Sequence, residues 1–157
     1  MVDQNSPEAF YQRASKEEDP LTVYVVVRES LNMSVGKLAI QCAHAGQMLQ
    51  LKYDDLHKGL NWRRRTHTEA MPADELEAFV MKSETIYQEW LAAGVRKVSL
   101  TASEKEWDRL KAEEKNKLIV IDAGLTELEP GTETVMILWP IRKSQRSKTV
   151  KRLQALK

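Results

Sequence analysis

The spacing of apolar and polar positions predicts strands that alternate with helices along most of the chain. Runs of β-branched and other apolar residues predict four buried strands, at residues 21–28, 95–100, 117–121 and 134–139. Apolar residues at helical spacing predict three helices, at residues 35–53, 72–93 and 104–115, and we expect a basic helix near the chain end. This alternation is typical of an α/β sandwich.

Capping residues and helix breakers support these boundaries. Ser34 fits the N-cap of the first helix, and Pro72 is favourable in the first turn of the second. Gly94 is expected to end the second helix. Either Thr101 or Ser103 is expected to cap the third.

Composition indicates an ordinary globular chain. It has 157 residues and a mass of 18.0 kDa, which fits one domain that buries a core without disulfides or metals. The single cysteine, Cys42, excludes an internal disulfide and any zinc site built on paired cysteines. No apolar stretch reaches the roughly 18 residues that a membrane span needs, so we expect no membrane association.

Charge is distributed unevenly, although the formal net charge is only +1. Residues 1–20 hold five acidic residues against two basic ones and lack periodic apolar spacing. We therefore expect a flexible N-terminal segment over residues 1–20, followed by a single domain over residues 21–157. The segment matches neither a secretory signal nor an arginine-rich transit peptide, so the cytoplasm is the expected compartment.

The end of the chain is strongly basic. Residues 141–157 contain no acidic residue and seven basic ones: Arg142, Lys143, Arg146, Lys148, Lys151, Arg152 and Lys157. Such a concentration of positive charge in a nearly neutral protein favours a polyanionic partner, usually nucleic acid. A solvated face of a terminal helix would account for the same charges, so both interpretations stay open.

The first predicted helix carries an unusual polar stripe. Lys37, Gln41 and His44 are spaced at i, i+4 and i+7, which places an ammonium, an amide and an imidazole on one helix face. Solvated faces more often carry flexible glutamate and lysine, so this mixture indicates a candidate site. The alternative is an ordinary polar side whose Gln41 and His44 only satisfy hydrogen bonds.

A carboxylate follows the third predicted strand. Asp122 comes directly after residues 117–121, and Thr126 follows four residues later. Ligands gather beyond the carboxyl ends of parallel strands in open α/β sheets. If the first and third strands are parallel, Asp122 and Thr126 meet the polar stripe at one edge. The alternative for Asp122 is a turn residue that bonds the backbone of its own loop.

Other chemistries lack their signatures. The chain has no G-x-S-x-G elbow, no Walker loop and no G-x-G-x-x-G. His44, His57 and His67 do not have the spacing of metal ligands. Cys42 and His44 point to nearly opposite sides of the helix, so they do not form a thiol–imidazole pair.

Two separated motifs resemble those of the type 2 peptidyl-tRNA hydrolases. Members of this family follow a valine-rich strand with M-G-K-G-K-x-A-A-Q-x-x-H-A, and residues 33–45 here read MSVGKLAIQCAHA. Their third strand leads into D-A-G-x-T-x-x-x-x-G-x-x-T-V, and residues 122–135 here read DAGLTELEPGTETV. The motifs occur in the right order, and the resemblance covers about residues 22–156.

The resemblance implies a three-layer sandwich, in which a mixed four-stranded sheet has helices on both faces. It also implies hydrolysis of the ester that joins a peptide to the terminal ribose of tRNA. The family's functional positions fall on six residues: Lys37, Gln41, His44, Asp122, Thr126 and Thr134.

Each of these positions has an expected role. Asp122 would orient or deprotonate the attacking water, with His44 as the competing base. Lys37 would stabilise the developing oxyanion or a nearby phosphate. Gln41, Thr126 and Thr134 would position the acceptor end through hydrogen bonds. This chemistry needs no metal or organic cofactor.

Peptidyl-tRNA is the implied partner, and its tRNA is expected to follow a basic surface. We predict that this surface is formed by Arg142, Lys143, Arg146, Lys148 and Arg152. Arg63–Arg65 are a further candidate, and Trp62 beside them either stacks on a base or pins a long loop. A homodimer is left open.

Three departures from the family motifs keep alternatives open. Val35 replaces the first lysine of the pair, Ser34 replaces the preceding glycine, and the stretch over residues 54–93 is longer than the family's usual connection. Val35 and the longer connection keep open a second hypothesis, a tRNA- or RNA-binding protein without activity, and a protein-interaction module on the same fold is a third. Release of peptide from purified peptidyl-tRNA tests the second, and tRNA binding at low salt tests the third.

Overall fold

A mixed sheet forms the centre of the fold in the computed structural model, which describes residue 6 and residues 18–57 and 72–157. Its strands are β1 Leu21–Arg28, β2 Lys97–Ala102, β3 Lys117–Ile121, β4 Glu133–Leu138, β5 Ile141–Arg142 and β6 Gln154–Ala155. They are ordered β3-β4-β1-β2-β6, and β5 pairs with β1. β1 and β2 are parallel, whereas β4 is antiparallel to both β1 and β3.

Helices flank this sheet. Within the described ranges the α-helices are α1 Val35–His57, α2 Ala73–Ala92, α3 Glu104–Glu113 and α4 Lys148–Arg152. Ser34 caps α1 as predicted, because its Oγ accepts a hydrogen bond from the Lys37 backbone N–H at 3.2 Å. Ser103, and not Thr101, caps α3 in a capping box with Glu106.

Both faces of the sheet are covered, as the resemblance implied. Val23, Val25 and Val27 of β1 pack against the side that carries α1 and α2. Tyr24 and Val26 point the other way and pack with α3 and α4. A central strand that is buried on both faces is apolar throughout, which explains why its sequence shows no alternation with polar residues.

The prediction of four strands is corrected to six. The additional strands, β5 and β6, have two residues each, which is too short for an apolar pattern to mark them. They pair through their backbones, with Arg142 opposite Leu21 and Ala155 opposite Leu100. The predicted basic helix near the chain end is confirmed, but it is short, because only Lys148–Arg152 is α-helical there.

The terminal apolar residues belong to the core. Val150 and Leu153 are buried with the residues of α3, and Leu156 packs against the other face of the sheet. This strip therefore stabilises the fold and gives no support to the homodimer, which stays a prediction.

The end of α1 also differs from expectation. The helix continues to His57 because Leu56 extends its buried side. The predicted end at residue 53 is therefore wrong, and residues 54–57 are helical. His57 Nδ1 then lies 2.8 Å from a Glu84 carboxylate oxygen on α2. Trp62 and Arg63–Arg65 lie outside the described residues, as does most of the segment over residues 1–20.

The strand directions place two chain segments at one edge. Because β4 is antiparallel to both β1 and β3, the carboxyl ends of β1 and β3 lie at the same edge of the sheet. The loops that follow these strands, toward α1 and through residues 122–132, therefore meet there. In the described ranges, no helix combines the length and apolar character that crossing a membrane requires.

Candidate functional site

The loop after β3 holds Asp122 at this edge. The Asp122 N–H donates to the Thr132 carbonyl, and the Gly131 N–H donates to the Asp122 carbonyl, each at 2.8 Å. Gly124 has a φ of +77°, and a Cβ there would lie 2.5 Å from the Pro130 nitrogen, so the turn requires glycine. The tight loop leaves Asp122 only 5% exposed.

Lys37 reaches this carboxylate from the first turn of α1. Its Nζ forms an ion pair with Asp122 Oδ2 and donates a hydrogen bond to Thr126 Oγ1 at 2.8 Å. The Lys37 side chain is 12% exposed, so solvent ions screen this pair less than a surface pair. The structure thus brings together three of the predicted site residues.

Two hydrogen bonds join Gln41 and Thr134 to the cluster of Lys37, Asp122 and Thr126. Thr134 Oγ1 donates to Gln41 Oε1 at 2.6 Å, and Gln41 Nε2 donates to Asp122 Oδ2 at 3.0 Å. Gln41 is 3% and Thr134 is 0% exposed. Leaving a buried amide without hydrogen-bond partners costs free energy. These two bonds therefore fix the orientation of the Gln41 side chain.

The surroundings of Asp122 favour its ionised form. The Lys37 ammonium has the largest effect, and with the Gly124 N–H and the Gln41 amide it holds the pKa of Asp122 below its ordinary value. The Gly124 N–H bonds Oδ1 at 2.7 Å, whereas Lys37 and Gln41 both bond Oδ2. A carboxylate has about four lone-pair sites, so Oδ1 keeps one position for another donor.

Asp122 is therefore both a turn residue and a site residue. Its bond to the Gly124 N–H is the turn interaction that we weighed as the alternative. The same side chain also receives Lys37 and Gln41. The turn sets the position of one oxygen and leaves the other directed toward α1.

His44 lies apart from this cluster. It is one turn beyond Gln41 on α1, and its side chain is exposed. Within the described residues, no hydrogen bond or ion pair links it to Asp122 or Lys37. Five of the six expected site residues are thus joined directly, and His44 is their neighbour on the same helix.

One residue at this edge, Glu127, was not predicted from the sequence. Glu127 accepts hydrogen bonds from the Ser34 N–H at 3.0 Å and from Ser34 Oγ at 2.5 Å. It is an exposed glutamate in a turn-rich loop, where no periodicity or spacing gives a signal.

Arg142 of the predicted tRNA surface lies at the opposite end of the strands from Asp122. Arg142 in β5 pairs with Leu21 at the start of β1, whereas Asp122 lies beside the far end of that strand. The eight residues of β1 span about 25 Å at roughly 3.3 Å per residue. Arg146 packs over the Tyr24 ring, with 5.8 Å between its Cζ and the ring centroid.

The other basic side chains of this surface follow Arg142 along the chain. Lys143 opens a 3-10 helix over Lys143–Gln145, and Lys148 and Arg152 begin and end α4. Arg142 itself lies 3.5 Å from a Glu89 carboxylate oxygen. From Arg142 the segment runs back toward the carboxyl end of β1, because Gln154 and Ala155 of β6, which follow α4, pair with Thr101 and Leu100 opposite Val27 and Val26.

The described residues contain no group of three or more histidine, cysteine, aspartate or glutamate side chains that could hold a metal ion. The cluster at Asp122 itself offers an ammonium, a carboxylate, an amide and two hydroxyls.

Comparisons with known proteins show which family the chain resembles. A family model described as peptidyl-tRNA hydrolase PTH2 matches residues 21–156. A peptidyl-tRNA hydrolase of Methanopyrus kandleri is 34% identical over 129 residues, which cover 77% of this chain and 85% of that protein. One of Staphylothermus marinus is 34% identical over 122 residues, covering 74% of this chain and 78% of that protein. Peptidyl-tRNA hydrolase 2 of Saccharomyces cerevisiae is 30% identical over 125 residues, covering 76% of this chain and 50% of that protein.

Proposed function

The chain belongs to the PTH2 family of peptidyl-tRNA hydrolases, and we propose that the cluster around Lys37 and Asp122 carries out its reaction. The enzyme hydrolyses the ester that joins a peptide to tRNA and releases both. The observation that supports this site is the shielded contact of Lys37 Nζ with Asp122 Oδ2, formed between the two sequence motifs.

Asp122 positions the attacking water. The remaining lone pair on Oδ1 accepts a hydrogen bond from that water and directs its oxygen toward the ester carbonyl. Because the Lys37 ammonium lowers the pKa of Asp122, the carboxylate is a weak base in the resting enzyme. Orientation is thus its main role, and it takes the water proton as the new carbon–oxygen bond forms.

Lys37 stabilises the charge that develops on the carbonyl oxygen. An ammonium has three N–H donors, and two of those on Lys37 are directed to Asp122 and Thr126. The third can bond the oxyanion of the tetrahedral intermediate. Collapse of this intermediate breaks the bond to the ribose oxygen, which takes up the proton that Asp122 accepted from the water. The new carboxyl group of the peptide releases its remaining proton to solvent and becomes a carboxylate.

The three remaining polar residues divide into two roles. Gln41 and Thr134 are buried, so they act on the substrate through Asp122, whose carboxylate they orient. Thr126 is exposed beside Lys37 and can bond the acceptor end directly. His44, the competing base in the sequence-based expectation, is exposed outside the cluster, and we assign it to contact with the substrate at the exposed end of the stripe.

The tRNA is held by the basic surface of Arg142, Lys143, Arg146, Lys148 and Arg152. The charge of this segment supports the assignment, because phosphate contacts supply most of the sequence-independent affinity for nucleic acids. The basic segment begins with Arg142 at the start of β1 and leads to β6 beside the carboxyl end of β2, so it follows the length of the strands toward the edge that holds Asp122. An extended polyanion such as tRNA can contact its basic residues in succession.

The partner and the cellular compartment are inferred from the substrate. Peptidyl-tRNA is the partner, and the cytoplasm is the proposed compartment because peptidyl-tRNA arises during translation. The reaction as derived uses only side chains of this chain and water.

Release of labelled peptide from purified peptidyl-tRNA tests the proposal. We expect release by the wild type and a fall of about 100-fold in kcat for Lys37→Ala, the size of effect typical when an oxyanion donor is removed. Lys115→Ala removes the same charge from an exposed site at the other end of β3 and serves as the matched control. Equal rates for the two variants would refute the role of Lys37.

A further inference from the structure

A second carboxylate joins the loop of the site to the start of α1. The two carboxylate oxygens of Glu127 accept separate hydrogen bonds from Ser34, one from its N–H at 3.0 Å and one from its Oγ at 2.5 Å. Ser34 Oγ in turn accepts a hydrogen bond from the Lys37 backbone N–H at 3.2 Å. One serine therefore contacts both the loop and the backbone of the lysine at the reacting centre.

We propose that Glu127 is a positioning residue for the hydrolysis, which holds Thr126 and Lys37 in register through its paired bonds to Ser34. Thr126 precedes Glu127 in the chain, so a fixed Glu127 places Thr126 Oγ1 within 2.8 Å of Lys37 Nζ. The inference rests on the proposed function, and it adds a residue that neither sequence motif marks.

Few other contacts anchor the loop around Thr126 to the start of α1. Leu125 is 88% exposed, and Thr126 and Glu127 are exposed as well, so burial does not anchor this side of the loop. In the described part of the chain, two side-chain links join the first turn of α1 and its cap to residues 123–130: Ser34 with Glu127, and Lys37 with Thr126. Loss of the first leaves the second to hold the loop alone.

Electrostatics strengthens this link. The Ser34 hydroxyl, the Ser34 N–H and the positive charge of Lys37 hold the pKa of Glu127 below its ordinary value. The bonds are therefore made by an ionised carboxylate, and such bonds are stronger than those between neutral groups. A negative charge at the start of α1 is also favoured by the helix dipole.

The hydroxyl is particular to this chain when it is set against the family motif quoted above. That motif has glycine where this chain has Ser34, and glycine can offer only its N–H. Ser34→Gly therefore removes one of the two bonds and keeps the other. The two hydrogen bonds between Ser34 and Glu127 can therefore be removed one at a time in a series of variants.

Single-turnover peptide release separates a positioning role from a merely structural one. We expect Glu127→Ala to lower kcat about tenfold with KM within about threefold, since a transition-state geometry is lost and ground-state binding is kept. Glu127→Gln keeps one acceptor oxygen, so it can retain one of the two bonds to Ser34 and should give a kcat between those of Glu127→Ala and the wild type. Glu129→Ala removes the same charge two residues away in the same loop and should match the wild type.

A double-mutant cycle completes the test. If Ser34 acts through Glu127, Ser34→Ala combined with Glu127→Ala lowers kcat no further than Glu127→Ala alone. Effects that multiply, or a kcat for Glu127→Ala equal to that for Glu129→Ala, would overturn the inference. The melting temperature of each variant shows whether the comparison is between folded proteins.

An activity-independent readout distinguishes this inference from the function on which it rests. Backbone amide NMR shifts of Lys37 and Thr126 should change in Glu127→Ala and stay constant in Glu129→Ala. An inactive wild type would refute the proposed function while these shifts still report the link. An active wild type with unchanged shifts in Glu127→Ala would refute the positioning role alone.

Discussion

Gln41 Nε2 donates a hydrogen bond to Asp122 Oδ2 over 3.0 Å, and this bond joins residues 81 positions apart in the chain. The amide oxygen of Gln41 is occupied by the Thr134 hydroxyl at 2.6 Å. With both ends satisfied, the amide cannot rotate without breaking a buried hydrogen bond. The Asp122 carboxylate is thereby oriented before substrate arrives, which is the condition for efficient placement of a water.

Replacement of this amide by a carboxylate should disable the site. In Gln41→Glu a second acid would face Asp122 in a buried position, and neighbouring carboxylates raise each other's pKa. We expect kcat near neutral pH to fall at least about tenfold and its acid limb to move to higher pH. A pH profile of kcat for wild type and Gln41→Glu measures both effects, and coincident profiles would contradict the orienting role.

His44 is expected to contribute less than Asp122. Its side chain is exposed and lies outside the hydrogen-bonded cluster, so His44→Ala should lower kcat by less than about tenfold, below the usual contribution of a general base. A loss as large as that of Asp122→Asn would instead make His44 the base.

The basic surface should control salt dependence. Each lost phosphate contact reduces the slope of log affinity against log salt by about 0.9 for a duplex. We therefore expect Arg146→Ala combined with Lys148→Ala to weaken tRNA binding and flatten this slope by roughly 1–2. Lys105→Ala combined with Lys115→Ala removes the same charge from exposed positions elsewhere. If both double variants keep the wild-type slope, tRNA binds another face.

Lys52 makes stability depend on pH. It is 1% exposed, contacts the Asn116 side-chain oxygen and lies with its Nζ 4.9 Å from the centroid of the Trp139 ring. Burial, followed by the positive charge of Lys117, lowers the pKa of Lys52 from 10.5 to about 7. Between these values the unfolded chain binds more protons than the folded one, so the free energy of unfolding rises with pH.

The matching experiment compares Lys52→Met with the wild type. The contribution of one such lysine is up to about 1.4 kcal/mol per pH unit. Urea titrations between pH 7 and 10 should therefore show a steeper rise of the free energy of unfolding in the wild type than in Lys52→Met. Parallel curves for the two proteins would show that Lys52 does not titrate in this window.

Much of the fold follows from local patterns. Leu21–Arg28 and Lys117–Ile121 have the predicted bounds because their apolar runs are uninterrupted and are flanked by polar residues. The bounds of β2 and β4 move by one or two residues at each end, and α1 gains a turn. The two-residue strands escape prediction because pairing with an existing strand edge, and not their own residues, makes them strands.

The site was predictable to a similar extent. Helix geometry places Lys37 and Gln41 on one face, and strand direction brings Asp122 to the same edge. The burial of Thr134 and the contact of Glu127 depend on how the loop over residues 122–132 folds back, which spacing alone does not encode. Helical spacing puts Lys52 on the apolar side of α1, but nothing in the sequence indicates that its ammonium is buried as well.

The kcat of Asp122→Asn on purified peptidyl-tRNA tests the central claim most directly. Asparagine keeps the shape of the side chain but cannot carry the negative charge or take a proton from water. A fall of at least about 100-fold in kcat is expected from the loss of general-base assistance, with the melting temperature showing that the variant is folded. Wild-type turnover by folded Asp122→Asn would contradict the assignment of the water to Asp122.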